Sequence, residues 1–538
     1  MDVPELRFHV GKFLDVDGLR ACALVCRAWH RDFQPLVWRS FSADLSETNS
    51  SCQIDSIRHN IHRIRDLQWI EYYHPRYTTS TLFNLLSTEC YDSLVSLDLR
   101  FCAHLEWDQY LRLFENNEQT LQQVSITYEG ETPLPSNRQL VEVLRDLSSL
   151  RRLTFTFVAP CFVNLIQLIR TMPRMVTLVL RLCKTASTSS FADLYIPDPR
   201  KGQPVLSLKR FELMGSWEDE SMLVLLLELC PRLEHLILRT SNDCKGPCQL
   251  VRDGCFPRLK SLGLHDEGLP PSLLPSALKS LPPHQLTTIQ LSCSLATTVQ
   301  ALVEHHHQSL ERVDIGVMDG QESCIIELLS RCNQLQRLRF TVKKDAGVEV
   351  RYAIARPWVC TKLKQLAVKF VLGPDYNDSA AALSSASEEK APLGFPGPVE
   401  NGKAMTVLMT RLGQLSQIQK LYLFPNQFEP LRAAPLPWSL ANGFSHLSCW
   451  TRLELLDFGR YQPFPFGIPE LQFMRQHWAA LKEISSGDID SDEVDQWLED
   501  HWPELVAARG TSQDSEDSES SGSSVTSVRS VRSVEYEG

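Results

Sequence analysis

The 538-residue chain lacks the features of several specialised protein classes. Basic residues are outnumbered, with 54 Lys and Arg against 65 Asp and Glu, and the net charge of −11 repels a polyanion at long range. No stretch approaches the roughly 18 uninterrupted apolar residues of a membrane span, and Glu228 interrupts the most apolar run. We therefore expect neither nucleic acid nor a membrane as a partner.

The 16 cysteines also lack the spacing of a small disulfide-bonded domain, and Met1 leads directly into a charged segment without an apolar signal region. These absences predict reduced thiols and a cytoplasmic or nuclear location. No nucleophile-elbow motif or Ser-His-Asp set can be identified. The sequence thus predicts a non-catalytic protein without a cofactor.

Two loop motifs with catalytic or metal-binding spacing are incomplete. Residues 397–403 match GxxxxGK, but Ala404 replaces the Ser or Thr that would hold magnesium, so a loop coincidence is favoured over a nucleotide-dependent switch. Residues 488–499 place acidic side chains at calcium-loop positions, but Glu493 stands where glycine is required. We interpret this second segment as a solvated acidic turn.

Two other groups could be taken for metal ligands. Cys244, Cys248 and Cys255, with His265, are irregularly spaced, which favours loop or core cysteines over a metal site. Three consecutive histidines at 305–307 diverge on a helix and are interpreted as an exposed helix end. No metal site is predicted.

The dominant signal is the short pattern LxxLxL, with Ile, Val, Phe or Met in place of Leu at some positions, which recurs fifteen times from about residue 60. Its units begin at residues 63, 93, 120, 149, 174, 207, 232, 258, 285, 309, 334, 362, 417, 452 and 480. Most intervals match the period of leucine-rich repeats. In each unit alternating residues point inward from a short strand, as we expect of Leu97 and Leu99.

This pattern predicts an α/β leucine-rich repeat solenoid, with parallel strands inside and helices such as 217–230 and 322–331 outside. The repeats occupy residues 46–372 and 404–508, and a polar, Pro/Gly-rich stretch at 373–403 is expected to be a flexible insertion. A helix over 494–503 offers Trp497, Leu498 and Trp502 to cover the last strand. The Ser-rich acidic tail at 509–538 is expected to be disordered.

Residues 1–45 carry none of the fifteen units and show helical patterns instead. Leu6, Val10, Phe13 and Leu14 form an apolar stripe on a first helix that we expect to end near Asp15. Asp17 is the expected cap of a second, antiparallel helix whose face holds Leu19, Cys22, Ala23 and Cys26, with Trp29 a turn later. A small helical domain preceding the repeats is predicted.

This segment resembles an F-box. The resemblance lies in Pro4-Glu-Leu6, in Phe13-Leu14, in Leu19-x-x-Cys22-x-x-Val25-Cys26-Arg-x-Trp29, and in Pro35-x-x-Trp38. It implies docking onto a Skp-type adaptor, which connects the chain to a cullin in an SCF-type ubiquitin ligase. It also implies that Pro4, Leu6, Leu19, Val25, Cys26 and Trp38 make or support the adaptor contact, whereas Trp29 packs internally.

The concave face of the repeats is the expected binding surface for a protein substrate. Side chains predicted on this face include Arg100, Arg181, Arg239, His265, Arg339 and Lys369, with Tyr422 and Phe424 further along the chain. An acidic or phosphorylated segment would suit these basic groups. The alternative is that they only keep a long sheet soluble, because Asp98, Glu212, Asp314 and Asp457 share the face.

Together these observations predict a substrate-recognition adaptor of a ubiquitin ligase, whose target is marked for ubiquitin-dependent degradation. The alternative is a leucine-rich repeat scaffold or regulator in which the N-terminal hairpin only caps the stack, since the apolar end of a solenoid needs covering.

Overall fold

The computed structural model describes residues 4–44, 51–70, 80–89, 92–101, 107–128, 137–157, 172, 174–182, 206–215, 220–240, 244–265, 269–318, 320–342, 347–372, 401–423, 436, 438–459, 464–486 and 491–505. The chain divides into two units, Met1–Gln334 and Leu335–Gly538. The boundary falls inside a repeat and not in the predicted insertion. The acidic tail and residues 373–400 of that insertion lie outside the described residues.

The first unit contains a parallel sheet whose strands follow the order of the sequence. Its described strands are β1 Ser40–Asp44, β2 Asp66–Ile70, β3 Ser96–Phe101, β4 Gln123–Tyr128, β5 Arg152–Phe157, β6 Thr177–Leu182, β7 Arg210–Gly215, β8 His235–Thr240, β9 Ser261–Leu264, β10 Thr288–Ser294 and β11 Arg312–Val317. Its described helices are α1 Pro4–Gly11, α2 Val16–Val25, α3 Arg27–Val37, α4 Ser51–Asn60, α5 Ser80–Glu89, α6 Trp107–Glu115, α7 Asn137–Asp146, α8 Glu220–Glu228, α9 Lys245–Arg252, α10 Leu273–Ser280, α11 Ala296–His306 and α12 Ile325–Arg331.

The second unit repeats the same construction. Its described elements are β12 Arg337–Val342, β13 Val348–Glu349, α13 Val350–Ile354, β14 Gln365–Val368, β15 Phe370–Val371, α14 Asn401–Gly413, β16 Lys420–Tyr422, β17 Leu455–Gly459, α15 Ile468–His477, β18 Glu483–Ser486 and α16 Asp492–His501. Strands β12, β14, β16, β17 and β18 are parallel neighbours in that order. All fifteen LxxLxL segments carry a strand, which confirms the α/β leucine-rich repeat solenoid.

Each repeat enters its strand through the same backbone contact. The carbonyl of Arg65 accepts hydrogen bonds from the N–H groups of Val95 and Ser96 at 2.7 and 3.0 Å. The carbonyl of Val95 then accepts from two successive N–H groups of the next repeat. This shared acceptor keeps neighbouring strands in register, so that equivalent residues of successive repeats form columns.

Two of those columns form the core. The first contains Leu67, Leu97, Val124, Leu153, Leu178, Phe211, Leu236, Leu262, Ile289 and Val313, all almost fully buried. The second, two residues later, contains Trp69, Leu99, Ile126, Phe155, Leu180, Leu213, Leu238, Leu264, Leu291 and Ile315. Burying each such side chain contributes roughly 1.5–3 kcal/mol. The LxxLxL pattern in the sequence therefore marks the residues that form this core.

One strand was missed at the start of the sheet. β1 pairs in parallel with β2, with Phe41 opposite Leu67 and Ala43 opposite Trp69. The spacing of Trp38, Phe41 and Ala43 is itself LxxLxL, with Trp, Phe and Ala in place of the three leucines. The sheet thus begins immediately after the helical segment, inside the range assigned to the N-terminal domain.

The N-terminal segment is a module of three helices, and we call residues 4–37 the helical module. The first helix ends at Gly11, not near Asp15, because Asp15 caps the next helix by accepting a hydrogen bond from the N–H of Gly18 at 2.7 Å. Asp17 lies inside that second helix. Cys26 is extended and begins a third helix, which contains Trp29 and Pro35. The expected two-helix arrangement was wrong, because the extended backbone at Cys26 divides the second predicted helix into two.

Two further expectations need correction. Helix Asn401–Gly413 begins within the predicted insertion, so residues 401–403 are helical. The helix over Asp492–His501 exists, but its buried residues are Val494 and Leu498, whereas Trp497 and Trp502 are only half-buried. The helix therefore packs through its aliphatic side chains rather than through both tryptophans.

Candidate protein-binding surfaces

The first helix of the module packs through a charged residue and a glycine. Arg7 is almost fully buried and its Nη2 lies 2.7 Å from Oδ2 of Asp32 on the third helix. Gly11, one turn later, approaches so closely that an added Cβ would lie 2.5 Å from Cδ1 of Leu36. The module core consists of Leu19, Phe33 and Leu36.

Since Arg7 and Gly11 face inward, the apolar side chains of the same helix face solvent. Six large apolar side chains of the module are exposed, at 37% to 85% of their surface: Leu6, Phe8, Val10, Phe13, Leu24 and Val25. In the rest of the described chain only Met318, Val359, Val407 and Leu440 are comparably exposed. A concentration of exposed apolar groups in so short a segment is typical of a docking surface.

Three of the six residues predicted to contact the adaptor are exposed in this segment. Leu6 is 53% exposed and Val25 is 62% exposed, and Cys26 is also exposed. Pro4 begins the first helix. Leu24, the most exposed of the set at 85%, was not among the predicted residues. Helical spacing could have identified it, because Leu24 falls outside the face formed by Leu19, Cys22 and Ala23.

The other two predicted residues are less accessible. Leu19 is buried in the module core, where it can support a contact but not make one. Trp38 ends the third helix and is half-buried, with its ring 6.4 Å from the ring of Phe41 and nearly parallel to it. Trp29 packs against the module core beside Phe33, at 5.4 Å between ring centroids.

A second candidate surface is the face of the sheet that points away from the core, which we call the open face. Residues between the two core columns form its middle column: Ser42, Gln68, Asp98, Ser125, Thr154, Val179, Glu212, Ile237, Gly263, Gln290 and Asp314. Residues two positions later form an outer column that includes Arg100, Thr127, Thr156, Arg181, Met214 and Arg239. Three predicted basic residues thus share one column.

Arg181 and Arg239 lie two strands apart with Met214 between them. Arg239 donates a hydrogen bond from Nη2 to Oε1 of Gln290 at 2.8 Å, two strands away. Gly263 occupies the intervening position of the middle column and has no side chain to obstruct this contact. Because Gln290 is neutral, it leaves the charge of Arg239 uncompensated.

Arg181 carries a buried Nε that, among the described residues, has no hydrogen-bond acceptor. Arg210, at the start of β7, is in contrast paired with Glu212 at 3.2 Å. Arg100, at the other end of the column, lies 3.5 Å from Asp98. The uncompensated positive charge of the outer column is therefore concentrated on β6 and β8.

The remaining predicted basic residues are separate from this pair. His265 is half-buried just after β9, and its N–H donates to the carbonyl of Leu238 at 2.9 Å. Arg339 and Lys369 belong to the second unit, where Arg339 is exposed and Lys369 is half-buried between β14 and β15. Tyr422 is half-buried there. Burial, and to a smaller extent the charge of Asp457, raises its pKa. Phe424 lies outside the described residues.

The triple histidine is not an exposed helix end. His306 is completely buried, and its Nε2 lies 3.1 Å from the carbonyl oxygen of Leu278 on the preceding repeat. Burial lowers the pKa of His306. Its neighbour His307 instead contacts the ring of His284 edge-on at 5.4 Å. His306 is therefore a core residue of the solenoid.

The cysteines behave as small apolar residues. The cysteines whose side chains the structure describes are thiols outside any disulfide, and Cys244 and Cys248 are buried. Burial raises the pKa of Cys230, Cys324 and Cys360 to about 12, which leaves them protonated and unreactive. Within the part of the chain that the structure describes, no group of three His, Cys, Asp or Glu residues could hold a metal ion. In the same part, no helix has the length and apolarity of a bilayer span.

Comparison with known proteins adds little to this description. No family model and no curated protein matches the chain. A solved structure described as the crystal structure of the TLR13-ssRNA13 complex is similar at 12% sequence identity and a TM-score of 0.32, over 79% of this chain and 70% of that one. This likeness is too weak to carry an argument about function.

Proposed function

We propose that this chain is the substrate-recognition subunit of an SCF-type ubiquitin ligase. The helical module binds a Skp-type adaptor, and the open face of the repeats binds a protein destined for ubiquitin-dependent degradation. The observation that carries the proposal is the packing of the first helix, which buries Arg7 and Gly11 and exposes the apolar side chains of Leu6 and Phe8. A helix that serves only as a cap would bury those apolar groups instead.

The motif residues and the exposed surface support the same partner. Leu6 and Val25 belong to the F-box-like pattern and are both exposed, while Leu19 of the same pattern holds the helices together. An apolar docking surface of this kind derives its affinity from a few buried anchors. We expect Leu24 and Val25 to be such anchors, because they adjoin on one helix and are among the most exposed.

The substrate half of the proposal rests on the outer column. Arg181 and Arg239 have no carboxylate partner among the described residues and are separated by two strands, about 10 Å. Guanidinium groups bind carboxylates and phosphates with paired hydrogen bonds. We therefore propose that the substrate presents an acidic or phosphorylated segment to β6 and β8.

Adaptor binding is tested by titrating a purified Skp-type adaptor into the full chain and measuring the dissociation constant. The double variant Leu24→Ser, Val25→Ser should bind at least about tenfold more weakly than the wild type, since hot-spot anchors contribute about 2 kcal/mol or more. The matched control is Val359→Ser, Val407→Ser, which removes two exposed apolar side chains of the second unit and should leave binding unchanged.

Absence of adaptor binding by the wild-type chain would favour the alternative, in which the helical module only caps the repeats. The substrate half is tested separately with Arg181→Glu, Arg239→Glu, by comparing the proteins that accumulate with the chain when the proteasome is inhibited. Capture that is unchanged by this charge reversal would contradict an acidic or phosphorylated substrate segment.

A further inference from the structure

A cavity of about 640 Å³ opens between the end of the third helix and the first strands of the sheet. Its lining includes Trp38 and Phe41 from β1 and the residues leading into it, Asp66 and Gln68 from β2, and Asp98 from β3. A volume of this size accommodates a small ligand or a long side chain. The cavity lies within the first unit, at the N-terminal end of the open face.

The rings of Trp38 and Phe41 form an aromatic wall of this cavity. Their centroids lie 6.4 Å apart and their planes are within 21° of parallel. Both residues are only half-buried, although Trp38 stands in the position where later repeats have fully buried side chains such as Ile64 and Leu94. The face of an indole ring attracts a cation, and guanidinium groups stack on it especially well.

The carboxylate of Asp98 is paired with Arg100 only at long distance, which leaves room for a second cation. Its Oδ2 accepts hydrogen bonds from Nε2 of Gln68 at 3.4 Å and from Nη2 of Arg100 at 3.5 Å, both near the limit of a real bond. Its Oδ1 is buried and, among the described residues, accepts none. An ionised carboxylate that has lost water on one oxygen gains stability from a further cation beside the other.

The other charged groups that line the cavity do not cancel the attraction of Asp98 for a further cation. Asp66 lies 3.6 Å from Arg39, and both side chains are more than a third exposed, so water screens the pair. Arg20 is the basic residue of the lining, but its Nη1 lies 3.3 Å from Asp17 at an exposed position. The lining thus holds two carboxylates and an aromatic wall but one guanidinium, that of Arg20.

We infer that this cavity binds the guanidinium group of an arginine side chain on the protein that occupies the open face. The inference depends on the part of the proposed function that places a protein partner there, and not on the adaptor contact. The planar guanidinium would stack on Trp38 and direct its N–H groups at the Asp98 carboxylate. A lysine ammonium lacks the plane needed for the same stacking.

The position of the cavity also predicts how charged groups are spaced along the partner segment. Asp98 on β3 is separated from Arg181 on β6 by three strands and from Arg239 on β8 by five, or about 14 and 24 Å. An extended peptide advances about 3.3 Å per residue, so these distances span roughly four to seven residues. The partner segment therefore has an arginine near the helical module and an acidic group about four to seven residues away.

Saturation-transfer NMR on the full chain tests the inference, with N-acetyl-arginine methylamide as probe and its neutral isostere N-acetyl-citrulline methylamide as comparison. We expect a clear signal for the arginine probe, at least about threefold weaker in Asp98→Asn, and a weak signal for citrulline throughout. The matched control Asp314→Asn removes another carboxylate of the middle column and should leave the arginine signal unchanged.

Equal signals from wild type and Asp98→Asn, or from arginine and citrulline, would overturn the inference, as would stronger binding of N-acetyl-glutamate methylamide. Thermal unfolding of each variant accompanies the measurement, and Asp66→Asn provides a second test at the cavity if Asp98→Asn does not fold. Because no adaptor is present, failure here leaves the adaptor proposal intact, and failure of adaptor binding leaves this result intact.

Discussion

The helical module and the repeats follow opposite rules for their apolar residues. In the repeats the leucines at pattern positions are buried almost completely, as Leu97 and Leu236 are. In the module the first helix buries an arginine and a glycine, while Leu6, Phe13 and Leu24 remain exposed. The repeats therefore use their apolar residues for folding, whereas the module retains part of them for a partner.

This difference predicts different consequences for equivalent substitutions. Phe211→Ala in β7 removes a fully buried ring and should lower the free energy of unfolding of its unit by about 3–5 kcal/mol. Leu24→Ala in the module should change it by less than about 0.5 kcal/mol. Thermal unfolding followed by circular dichroism distinguishes the two. Comparable losses would mean that Leu24 is covered in the folded chain.

The contrast also explains which features could be read from the sequence. Every LxxLxL segment carries a strand because a core position tolerates only apolar residues, and the same constraint recurs in each repeat. Strand β1 was not predicted because Trp38 and Ala43 stand at two of the three pattern positions that lead into and through it. Reading the spacing without requiring leucine would have found it.

The packing of the module could not be read in the same way. The inward position of Arg7 depends on Asp32, a partner twenty-five residues away. With Arg7 inside, Leu6 and Val10 of the same helix are exposed. His306 was similarly misjudged, because burial against Leu278 depends on the neighbouring repeat. Non-local contacts of this kind have no local sequence signal.

The buried ion pair of the module offers a sharper test of its packing. Asp32→Ala removes a carboxylate partner of the buried Arg7 guanidinium and should destabilise the first helix by about 3 kcal/mol. Hydrogen exchange should accelerate in Pro4–Gly11 and remain slow in the repeat strands. The control is Asp17→Ala, which removes a carboxylate from an exposed pair and should leave exchange unchanged. Unchanged exchange in Asp32→Ala would contradict the inward placement of Arg7.

His306 tests whether the repeats tolerate a charge in their core. Because burial lowers its pKa in the folded chain, the unfolded chain binds more protons below the ordinary histidine value of about 6.5. Its contribution to stability is therefore complete above that pH and is lost as the pH falls toward the lowered pKa. The melting temperature of the wild type should fall more steeply from pH 7.5 to 5.5 than that of His306→Gln. Parallel curves would refute this.

The smallest expected effect concerns a charge contact shared between repeats. Glu234 lies 3.1 Å from Lys209 and 2.9 Å from Lys260, and its hydrogen bonds to Lys260 and then Lys209 lower its pKa. Glu234→Gln should cost less than about 1 kcal/mol, because the lysines are half exposed. Since a lowered carboxyl pKa adds stability only while the group is ionised, the difference should vanish at acidic pH. A loss that persists there would indicate a packing effect instead.

The central claim is that the exposed apolar residues of the helical module form a docking surface for a Skp-type adaptor. Hydrogen exchange of the full chain with and without the purified adaptor tests it most directly. We predict that the adaptor slows exchange in Pro4–Gly11 and Val16–Val25 and leaves the repeat strands unchanged. Exchange that is unaffected in both helices, or protection confined to the repeats, would contradict the claim.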